Sequence, residues 1–418
     1  MGRIAKFFVW VLMVLLFLCA VLGGALYLMY RMAAPEPSQV TASFAGAELK
    51  SPSVTWTTPV LGDLFERTDE TQGSVMQLGT IGTAVPELAV TGADVVSAEA
   101  FLDGQSVASV SGSGVLTLPA NGTYTLRVTA QVTPKRANGP RGTYVFEAEF
   151  TLKAVPQITA EPASALQGDV VVVRVEGILD GSVPTIETEL SPAYFVPTDT
   201  GYEALLGVHY NKSGGEWPVT VTCGDTTETL TVTVSGASFE KVTETLSDAV
   251  KQSAAGSAAA LKAFNDAMYG VYGIHDGELY FDGQWKWPVG TGVATVPYGA
   301  FVTDGATGEE SRHTGIDLSV SINTPVTAPA AGRVVYAGWL DRTGGTVVIE
   351  HGAGIKSYLF HLAEVTCSVN DMVAQGTQVG VSGIAGYTEK PHVHFEVRMG
   401  NQSVDPAKLV NGSSAAVK

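Results

Sequence analysis

Charged residues are scarce in this chain, and basic residues are the scarcer kind. Only 16% of the 418 residues are charged, and 24 Lys and Arg against 41 Asp and Glu give a formal net charge of −17. Proteins that bind nucleic acid need clustered Lys and Arg to neutralise phosphates, and the sequence has no basic stripe. The acidity therefore argues against nucleic acid as a partner, and against electrostatic adhesion to anionic lipids or anionic wall polymers.

Cysteine is also rare, with only Cys19, Cys223 and Cys367. Cys19 lies within a long apolar run and lacks the preceding small residues of a lipid-attachment site, so we expect a membrane-buried thiol. The other two are far apart in sequence. We expect them in different domains as buried free thiols, with a disulfide between them as the alternative. The chain therefore cannot depend on a disulfide framework for its stability.

The N-terminus contains the longest apolar run. No charged residue lies between Phe7 and Tyr30, and at 1.5 Å per residue this stretch would form a helix about 36 Å long, enough to cross a bilayer. A cleaved signal peptide has a shorter apolar core and a small-x-small exit site, whereas Tyr30 is followed here by Arg31 and Met32. We therefore expect residues 1–31 to be a cytoplasmic stub and an uncleaved membrane anchor.

The charges around this run predict its orientation. Arg3, Lys6 and the terminal amine precede the run, and only Arg31 follows it closely. By the positive-inside rule, the N-terminus is expected in the cytoplasm and everything after the anchor outside, in a single-pass topology. Residues 32–50 are small, polar and Pro-containing, which predicts a juxtamembrane linker.

Short strand-like runs separated by turn signals fill residues 51–236. Plentiful Gly, Thr, Ser and Val, with few charges, likewise predict a mainly β fold. A weak repeat relates Gly122–Ala130 to Gly215–Cys223, each with a glycine, an aromatic residue two positions later, and then alternating residues. This is typical of the penultimate strand of an Ig-like sandwich, so we predict two tandem Ig-like β-sandwiches over residues 51–155 and 156–236.

The pattern then changes to a helical one. From Phe239 to Tyr269 apolar residues recur at intervals of three and four, and Gly256 divides the run. We predict a helical spacer over residues 237–277. The β-pattern returns from about residue 278, so a C-terminal β-rich domain is predicted over residues 278–418.

Five of the seven histidines fall in this last domain, between residues 313 and 394. Histidine is the commonest zinc ligand, so the clustering suggests a metal site. Because side chains alternate along a strand, His392 and His394 would point to the same face, in one row with Glu396. Val393 and Phe395 would occupy the opposite face and suit a core.

These residues belong to a longer pattern. The pattern consists of His313-Thr-Gly-Ile-Asp317, Asn323–Ala328, Gly332-Arg-Val334, Gly344–Ile349 with His351, Tyr358–Leu362, Val379-Gly380 with Gly383, Pro391–Val397, and Val404-Asp-Pro406. In the order and approximate spacing of these motifs, the chain resembles the LytM/lysostaphin-type M23 zinc peptidases over about residues 286–410. Gly201–Val208 also resembles part of an N-terminal module found in some of them.

The resemblance implies a fold and a metal centre. The implied fold is a β-rich LytM-type peptidase domain, similar to the duplicated hybrid motif. The implied metal is one Zn²⁺ per chain, held by His313, Asp317 and His394. Two neutral imidazoles and one carboxylate leave an open fourth position, as in catalytic rather than structural zinc sites, and water bound there is acidic enough to react near neutral pH.

The resemblance also implies that His361 and His392 are catalytic but do not bind the metal. One takes the proton of the water, and the other stabilises the oxyanion or protonates the leaving amine, with the assignment left open. His351 is expected to be structural, and Glu396 either orients a ligand or forms a surface pair. The chain departs from the family pattern at Glu389-Lys390, which puts substrate preference in doubt.

The function implied is that of a zinc-dependent peptidoglycan endopeptidase, anchored in the bacterial cell membrane and cutting peptide stems or cross-bridges of the wall. An envelope protein is a further possible partner, through the Ig-like domains. The alternative is a catalytically silent LytM-like scaffold or activator in a cell-division or sporulation envelope complex. Iron oxygenases also use two His and one carboxylate, but usually in a His-x-Asp rather than a His-x-x-x-Asp pattern.

Overall fold

The computed structural model describes residues 2–32, 37–60, 64–135, 139–290 and 292–417, so residues 33–36 of the predicted linker lie outside the described residues. The fold is mainly β, as predicted. The chain divides into two compact units, Met1–Val155 and Pro156–Lys418. The three cysteines are free thiols, and Cys223 is buried.

In the first unit, helix α1 covers the apolar N-terminal run. It spans Arg3–Met32, and it is long and apolar enough to cross a membrane. A signal sequence near the N-terminus would meet the same criteria of length and composition. None of the helix residues is buried, so its apolar side chains find no protein core within the described part of the chain.

The rest of the first unit forms two β-sheets. Its strands are β1 (Thr41–Phe44), β2 (Ala47–Leu49), β3 (Ser53–Val60), β4 (Phe65–Thr71), β5 (Met76–Ile81), β6 (Glu87–Thr91), β7 (Val95–Leu102), β8 (Gln105–Ser111), β9 (Gly114–Val115), β10 (Gly122–Val132) and β11 (Arg141–Leu152). One sheet has the order β2-β1-β6-β9, and the other has the order β4-β3-β11-β10-β7-β8, with β5 parallel to β11. Phe44 and Phe150 join the two sheets, with ring centres 5.3 Å apart.

Part of the predicted linker is folded. Residues 41–49 were expected in the linker over residues 32–50, but they form the hairpin of β1 and β2, and Ala42, Phe44 and Leu49 are buried. The turn residues Ala45 and Gly46 have φ angles of 50° and 80°. Alanine is not favoured in such a turn, so the hairpin lacks the usual sequence signal.

The second unit begins with two four-stranded sheets that share a core. Its strands are β12 (Gln157–Glu161), β13 (Ser164–Leu166), β14 (Val170–Glu176), β15 (Thr185–Thr188), β16 (Val196–Pro197), β17 (Gly201–Gly207), β18 (Gly215–Cys223) and β19 (Thr226–Ser235). One sheet has the order β12-β14-β17-β16, and the other has the order β13-β19-β18-β15. Val173 and Val221, one from each sheet, lie in the core between them. We call this part of the chain, residues 157–235, the sandwich.

A run of valines in β14 is buried on both faces of its sheet. Val171 and Val173 lie in the core of the sandwich, whereas Val170 and Val172, with Leu205 of β17, lie in the core of the C-terminal domain. A strand buried on both faces has a continuous apolar run rather than an alternating pattern. The sandwich and the C-terminal domain are therefore packed together.

The C-terminal domain is built on a ten-stranded sheet. Seven of its strands have the order β21-β24-β31-β28-β27-β26-β29, and β25, β30 and β32 pair beside them. Strands β20, β22 and β23 form a separate three-stranded sheet. The elements are β20 (Lys241–Glu244), α2 (Asp248–Lys251), α3 (Ala258–Tyr272), β21 (Val293–Val296), β22 (Phe301–Asp304), β23 (Glu310–Arg312), β24 (Ile316–Ser319), β25 (Pro325–Thr327), β26 (Gly332–Leu340), β27 (Gly344–Glu350), β28 (Ile355–Val365), β29 (Met372–Val373), β30 (Gln378–Ser382), β31 (His392–Met399), β32 (Gln402–Val404) and α4 (Pro406–Val410).

The prediction of a helical spacer over residues 237–277 is wrong at its start, because the segment contains a strand, β20. Its helical part is divided near Gly256, as the sequence indicated, into α2, a 3-10 turn at Ala254–Gly256 and α3. The longer helix, α3, does not stand free, because its Met268 and Val271 are buried against Val348 and Phe360 of the main sheet. The apolar stripe of α3 requires such a surface, and β27 and β28 provide it.

Leu205→Ala should destabilise the whole second unit. The Leu205 side chain is 1% exposed and lies in the core that the sandwich shares with the C-terminal domain, so its removal should lower the free energy of unfolding by about 2–5 kcal/mol. In hydrogen-exchange mass spectrometry of the full chain, peptides from β14 and β17 and peptides from β27 and β28 should lose protection together.

The matched control for this experiment is Val183→Ala. Val183 is 63% exposed, so the change should alter the free energy of unfolding by less than about 0.5 kcal/mol. Loss of protection that stays within the sandwich peptides of Leu205→Ala would contradict a shared core.

Candidate metal centre

Strand pairing brings the candidate ligands together. β24 and β31 are antiparallel, and their register places Asp317 opposite His394 and Ser319 opposite His392. Opposite residues on neighbouring strands have adjacent side chains on the same face. His313 lies between β23 and β24, where its backbone N–H donates to the carbonyl of Ala300 at 2.9 Å.

Three ligand atoms converge at this point. Nε2 of His313 lies 3.1 Å from Oδ1 of Asp317 and 3.0 Å from Nδ1 of His394, and the last two atoms are 2.7 Å apart. The three residues form a group that could hold a metal ion. Two imidazole nitrogens and one carboxylate oxygen are a donor set that suits zinc with one position left for water or substrate.

The other ring nitrogen of each histidine has its own partner. Nδ1 of His313 lies 3.1 Å from the carbonyl of Pro297, and Nε2 of His394 lies 3.0 Å from Oε1 of Glu396. When these two nitrogens donate to the oxygens, they carry the ring protons. Nε2 of His313 and Nδ1 of His394 are then unprotonated, and each has a lone pair free to bind a metal. These are the two nitrogens that converge, so the tautomers fit a metal centre.

The charges of the site favour a cation. Burial by itself would lower the pKa of His394, but hydrogen bonds to Asp317 and Glu396 outweigh it and raise that pKa to about 9. Burial likewise disfavours the ionised form of Asp317, but its contacts with the imidazoles of His313 and His394 hold its pKa well below the usual range. A metal must therefore compete with a proton on His394, as is general for histidine ligands.

His361 and His392 lie beside the three ligands. Their ring centres are 4.6 Å apart, and Nε2 of His392 is 3.5 Å from Oδ1 of Asp317. Nδ1 of His361 is 2.7 Å from the carbonyl of Ala385, and Nδ1 of His392 is 2.8 Å from the carbonyl of Lys390. With Nδ1 as donor in both rings, Nε2 is the atom of each that can accept a proton.

His361 is held in an unusual backbone conformation. Its φ is 64°, in the left-handed region that non-glycine residues rarely adopt, and its N–H donates to the carbonyl of Thr343 at 2.8 Å. Burial, with the nearby charge of His392, lowers the pKa of the His361 imidazole to about 3. His361 is therefore neutral at physiological pH.

The side chains of these four histidines and of Asp317 line a groove of about 450 Å³. One wall of the groove comes from Glu244, Thr245 and Leu246, at the end of β20, which sequence analysis did not associate with the site. This wall is fixed by an ion pair of Lys251 with Asp304, 2.8 Å long, and by the N–H of Ser247, which donates to Glu389 at 2.6 Å. Glu389-Lys390, the departure from the family pattern, also lines the groove.

His351 and Glu396 have distinct positions. Nδ1 of His351 donates to the carbonyl of Ala331 and Nε2 accepts from the hydroxyl of Ser357, both at 2.8 Å, so the ring has no nitrogen left for a metal. This agrees with the structural role expected for it. Glu396 is 2% exposed and bonds to His394, so it is not in a surface pair.

Comparison with known proteins identifies the family of this segment. Residues 311–406 match the description of Peptidase family M23. The matched range includes the three converging ligands, His361 and His392. The C-terminal part of the chain is therefore an M23 peptidase domain.

Proteins with different roles share this similarity. The chain is 37% identical over 86 residues to lysostaphin of Staphylococcus staphylolyticus, and this aligned segment covers 20% of this chain and 18% of that protein. It is 31% identical over 102 residues to the peptidoglycan DD-endopeptidase ShyB of Vibrio cholerae (24% of each). It is 35% identical over 124 residues to the murein hydrolase activator EnvC of Escherichia coli (30% and 28%). The chain thus spans less than a third of the length of each relative.

Among solved structures, a peptidase M23 from Pseudomonas aeruginosa is similar to 59% of this chain and 94% of its own, with 22% identity and a TM-score of 0.46. The catalytic domain of lysostaphin from Staphylococcus simulans covers 30% of this chain and 92% of its own, with 29% identity and a TM-score of 0.25.

Removal of any one of the three converging side chains should abolish metal binding. His313→Ala, Asp317→Ala and His394→Ala each remove one donor of three, so elemental analysis of the full chain should fall from about one zinc per chain to near zero. His275→Ala, which changes an exposed histidine outside the site, should keep the metal. Zinc retained by all three ligand variants would rule out this ligand set.

Proposed function

We propose that the chain is a zinc-dependent peptidoglycan endopeptidase that hydrolyses peptide stems or cross-bridges of the bacterial cell wall. The observation that carries the proposal is the convergence of His313, Asp317 and His394 in a groove that also contains His361 and His392. The M23 domain and the named activity of a relative, a peptidoglycan DD-endopeptidase, support the substrate class.

The three ligands would hold the zinc, and the two remaining histidines would move protons. A zinc ion held there supplies a Lewis acid that polarises a carbonyl and acidifies water. His392 and His361 each keep Nδ1 engaged with a backbone carbonyl, which fixes the ring and leaves Nε2 to accept a proton. His392 is the one whose Nε2 lies beside Asp317, at 3.5 Å, so it is placed to take the proton from water.

His361 differs from His392 in its surroundings. Because burial lowers its pKa to about 3, His361 is neutral at rest and would hold a second proton only briefly. It would take the proton that His392 removes from water, from a ring centred 4.6 Å away, and pass it to the leaving amine. The left-handed backbone at His361 sets the position of this ring, and a strained residue of this kind is typical of active sites.

The second candidate is a catalytically silent scaffold or activator. The similarity to a murein hydrolase activator, 35% identity over 124 residues, favours it. Such a protein would act by binding rather than by hydrolysis, so it would tolerate loss of the catalytic histidines. The two candidates therefore differ in a measurable way.

Digestion of purified muropeptides by the full chain, followed by chromatography and mass analysis, tests the enzymatic proposal. His361→Ala and His392→Ala should each lower turnover by about 10²–10⁴-fold, because each removes a group that transfers protons, while zinc content should stay near that of the original chain. Asp317→Ala serves as the metal-free control.

Two outcomes would contradict the proposal. A chain that holds zinc but releases no product from any muropeptide favours the activator. Zinc loss in His392→Ala to the level of His394→Ala would show that the ligand and the proton acceptor of the His392-Val393-His394 motif were exchanged.

We also propose that α1 anchors the protein in the bacterial cell membrane with the N-terminus in the cytoplasm and the M23 domain outside. The charge-free run from Phe7 to Tyr30 and the excess of positive charge before it support this orientation. The anchor would supply localisation that an acidic surface, with a net charge of −17, cannot obtain from an anionic wall.

Protease added to intact, wall-stripped cells should digest the C-terminal part of the chain and spare about the first thirty residues, since the bilayer shields a spanning helix of this length. Immunoblots for the two termini provide the measurement, with permeabilised cells as the control for protease access. A C-terminus that is protected until the membrane is permeabilised would overturn the orientation and the wall substrate with it.

A further inference from the structure

Behind the candidate metal ligand His394 lies a chain of charged side chains on a single strand. His394, Glu396 and Arg398 alternate along β31, so they share one face of the sheet. Oε1 of Glu396 is 3.0 Å from Nε2 of His394, and Oε2 of Glu396 is 2.5 Å from Nε of Arg398. The hydroxyl of Thr314 donates to Oε1 of the same carboxylate.

Arg398, the last of these three side chains, is tightly enclosed. Its guanidinium carbon lies 5.8 Å from the ring centre of Tyr272 and 5.6 Å from that of Tyr358, and its Nη1 is 3.5 Å from the Tyr272 hydroxyl and 3.4 Å from the carbonyl of Asn401. Tyr272 is the last residue of α3. The helix therefore closes one side of the space that holds Arg398.

Helix α3 also supports the imidazole of His394 through stacked rings. The ring of Phe360 is parallel to that of His394, with centres 5.5 Å apart, and the edge-to-face contact of Phe264 with Phe360 is 5.7 Å. Phe264 belongs to α3. Two contacts thus connect α3 to His394, one through aromatic rings and one through Arg398 and Glu396.

We propose that Glu396 and Arg398 are positioning residues of the metal centre, and that α3 is part of its support. Glu396 keeps the ring proton of His394 on Nε2, so that Nδ1 points at the metal. Arg398, held by Tyr272, keeps the carboxylate of Glu396 turned towards His394. The inference rests on the proposed zinc centre, and it extends that centre to a helix outside residues 311–406.

The physical reason is the behaviour of histidine ligands in general. A carboxylate that accepts the second N–H of a metal-bound imidazole fixes its tautomer and raises its basicity, and loss of such a partner typically weakens metal binding about 10–100-fold. Glu396 is fully able to act in this way, because its two oxygens are directed one to His394 and one to Arg398.

Zinc affinity of the full chain, measured by competition with a chelator, provides the test. Glu396→Gln should weaken zinc binding about 10–100-fold and should shift the visible absorption of the cobalt-substituted protein, which reports ligand geometry and not hydrolysis. Because Glu396→Gln leaves Arg398 without its carboxylate, the double variant Glu396→Gln/Arg398→Met is tested as well. It should show the same weakening without a buried lone charge.

Matched controls separate positioning from a general loss of stability. Glu350 is another fully buried carboxylate of this sheet and pairs with Lys356 at 3.1 Å. Glu350→Gln should lower the midpoint of unfolding and leave zinc affinity and the cobalt spectrum unchanged. On α3, Tyr272→Leu should weaken zinc binding several-fold, whereas Tyr269→Leu, at a residue that is 82% exposed, should not.

The proposal would be overturned if Glu396→Gln and the double variant kept the zinc affinity and the cobalt spectrum of the original chain. It would also be overturned if Glu350→Gln weakened zinc binding as much as Glu396→Gln does. If the original chain binds zinc and the variants weaken it, the proposal stands even where no muropeptide is cleaved. In that case only the enzymatic function fails. A chain that binds no zinc at all would overturn both.

Discussion

The antiparallel register of β24 and β31 is the constraint on which the candidate metal centre depends. On β24, Ile316 and Leu318 point into the core and Asp317 points away from it, and on β31 Phe395 points inwards and His394 outwards. A slip of one residue would move every side chain to the other face of the sheet. The apolar residues thus fix the register, and the register brings the carboxylate and the imidazole within 2.7 Å.

His313, the ligand that does not lie on either strand, is placed by a different interaction. The guanidinium of Arg312, the preceding residue, lies 4.5 Å from the ring centre of Tyr210 in the sandwich, 4.6 Å from that of Phe239 and 4.1 Å from that of Phe301. Cation–π contacts of this kind are stronger when they are shielded from water. The position of a candidate ligand therefore depends in part on Tyr210, about a hundred positions earlier in the chain.

The sequence predicted the residues of the candidate site better than their surroundings. Alternation predicted that His392 and His394 share a face, because strand period decides which side chains point the same way. The other three site residues came from the resemblance to the family. The sequence could not predict the left-handed φ of His361 or the wall at residues 244–246, which depend on tertiary contacts. The hairpin at 41–49 was missed because Ala45 stands in its turn, and the helical period near Phe264 did not reveal what the helix packs against.

These contacts decide how much of the chain the metal centre needs. The M23 match covers residues 311–406, and the sequence alone placed the domain border at 278, yet both borders cut through apolar contacts. A chain starting at 278 would lose Leu205 from the shared core and Met268 from the back of the sheet, and their partners would be exposed to water at a cost of about 25 cal/mol per Å² of apolar surface. It would also lose Tyr272, which encloses Arg398. The compact unit that contains this site therefore begins at Pro156, and the sandwich and α3 are packed against the domain that carries the site.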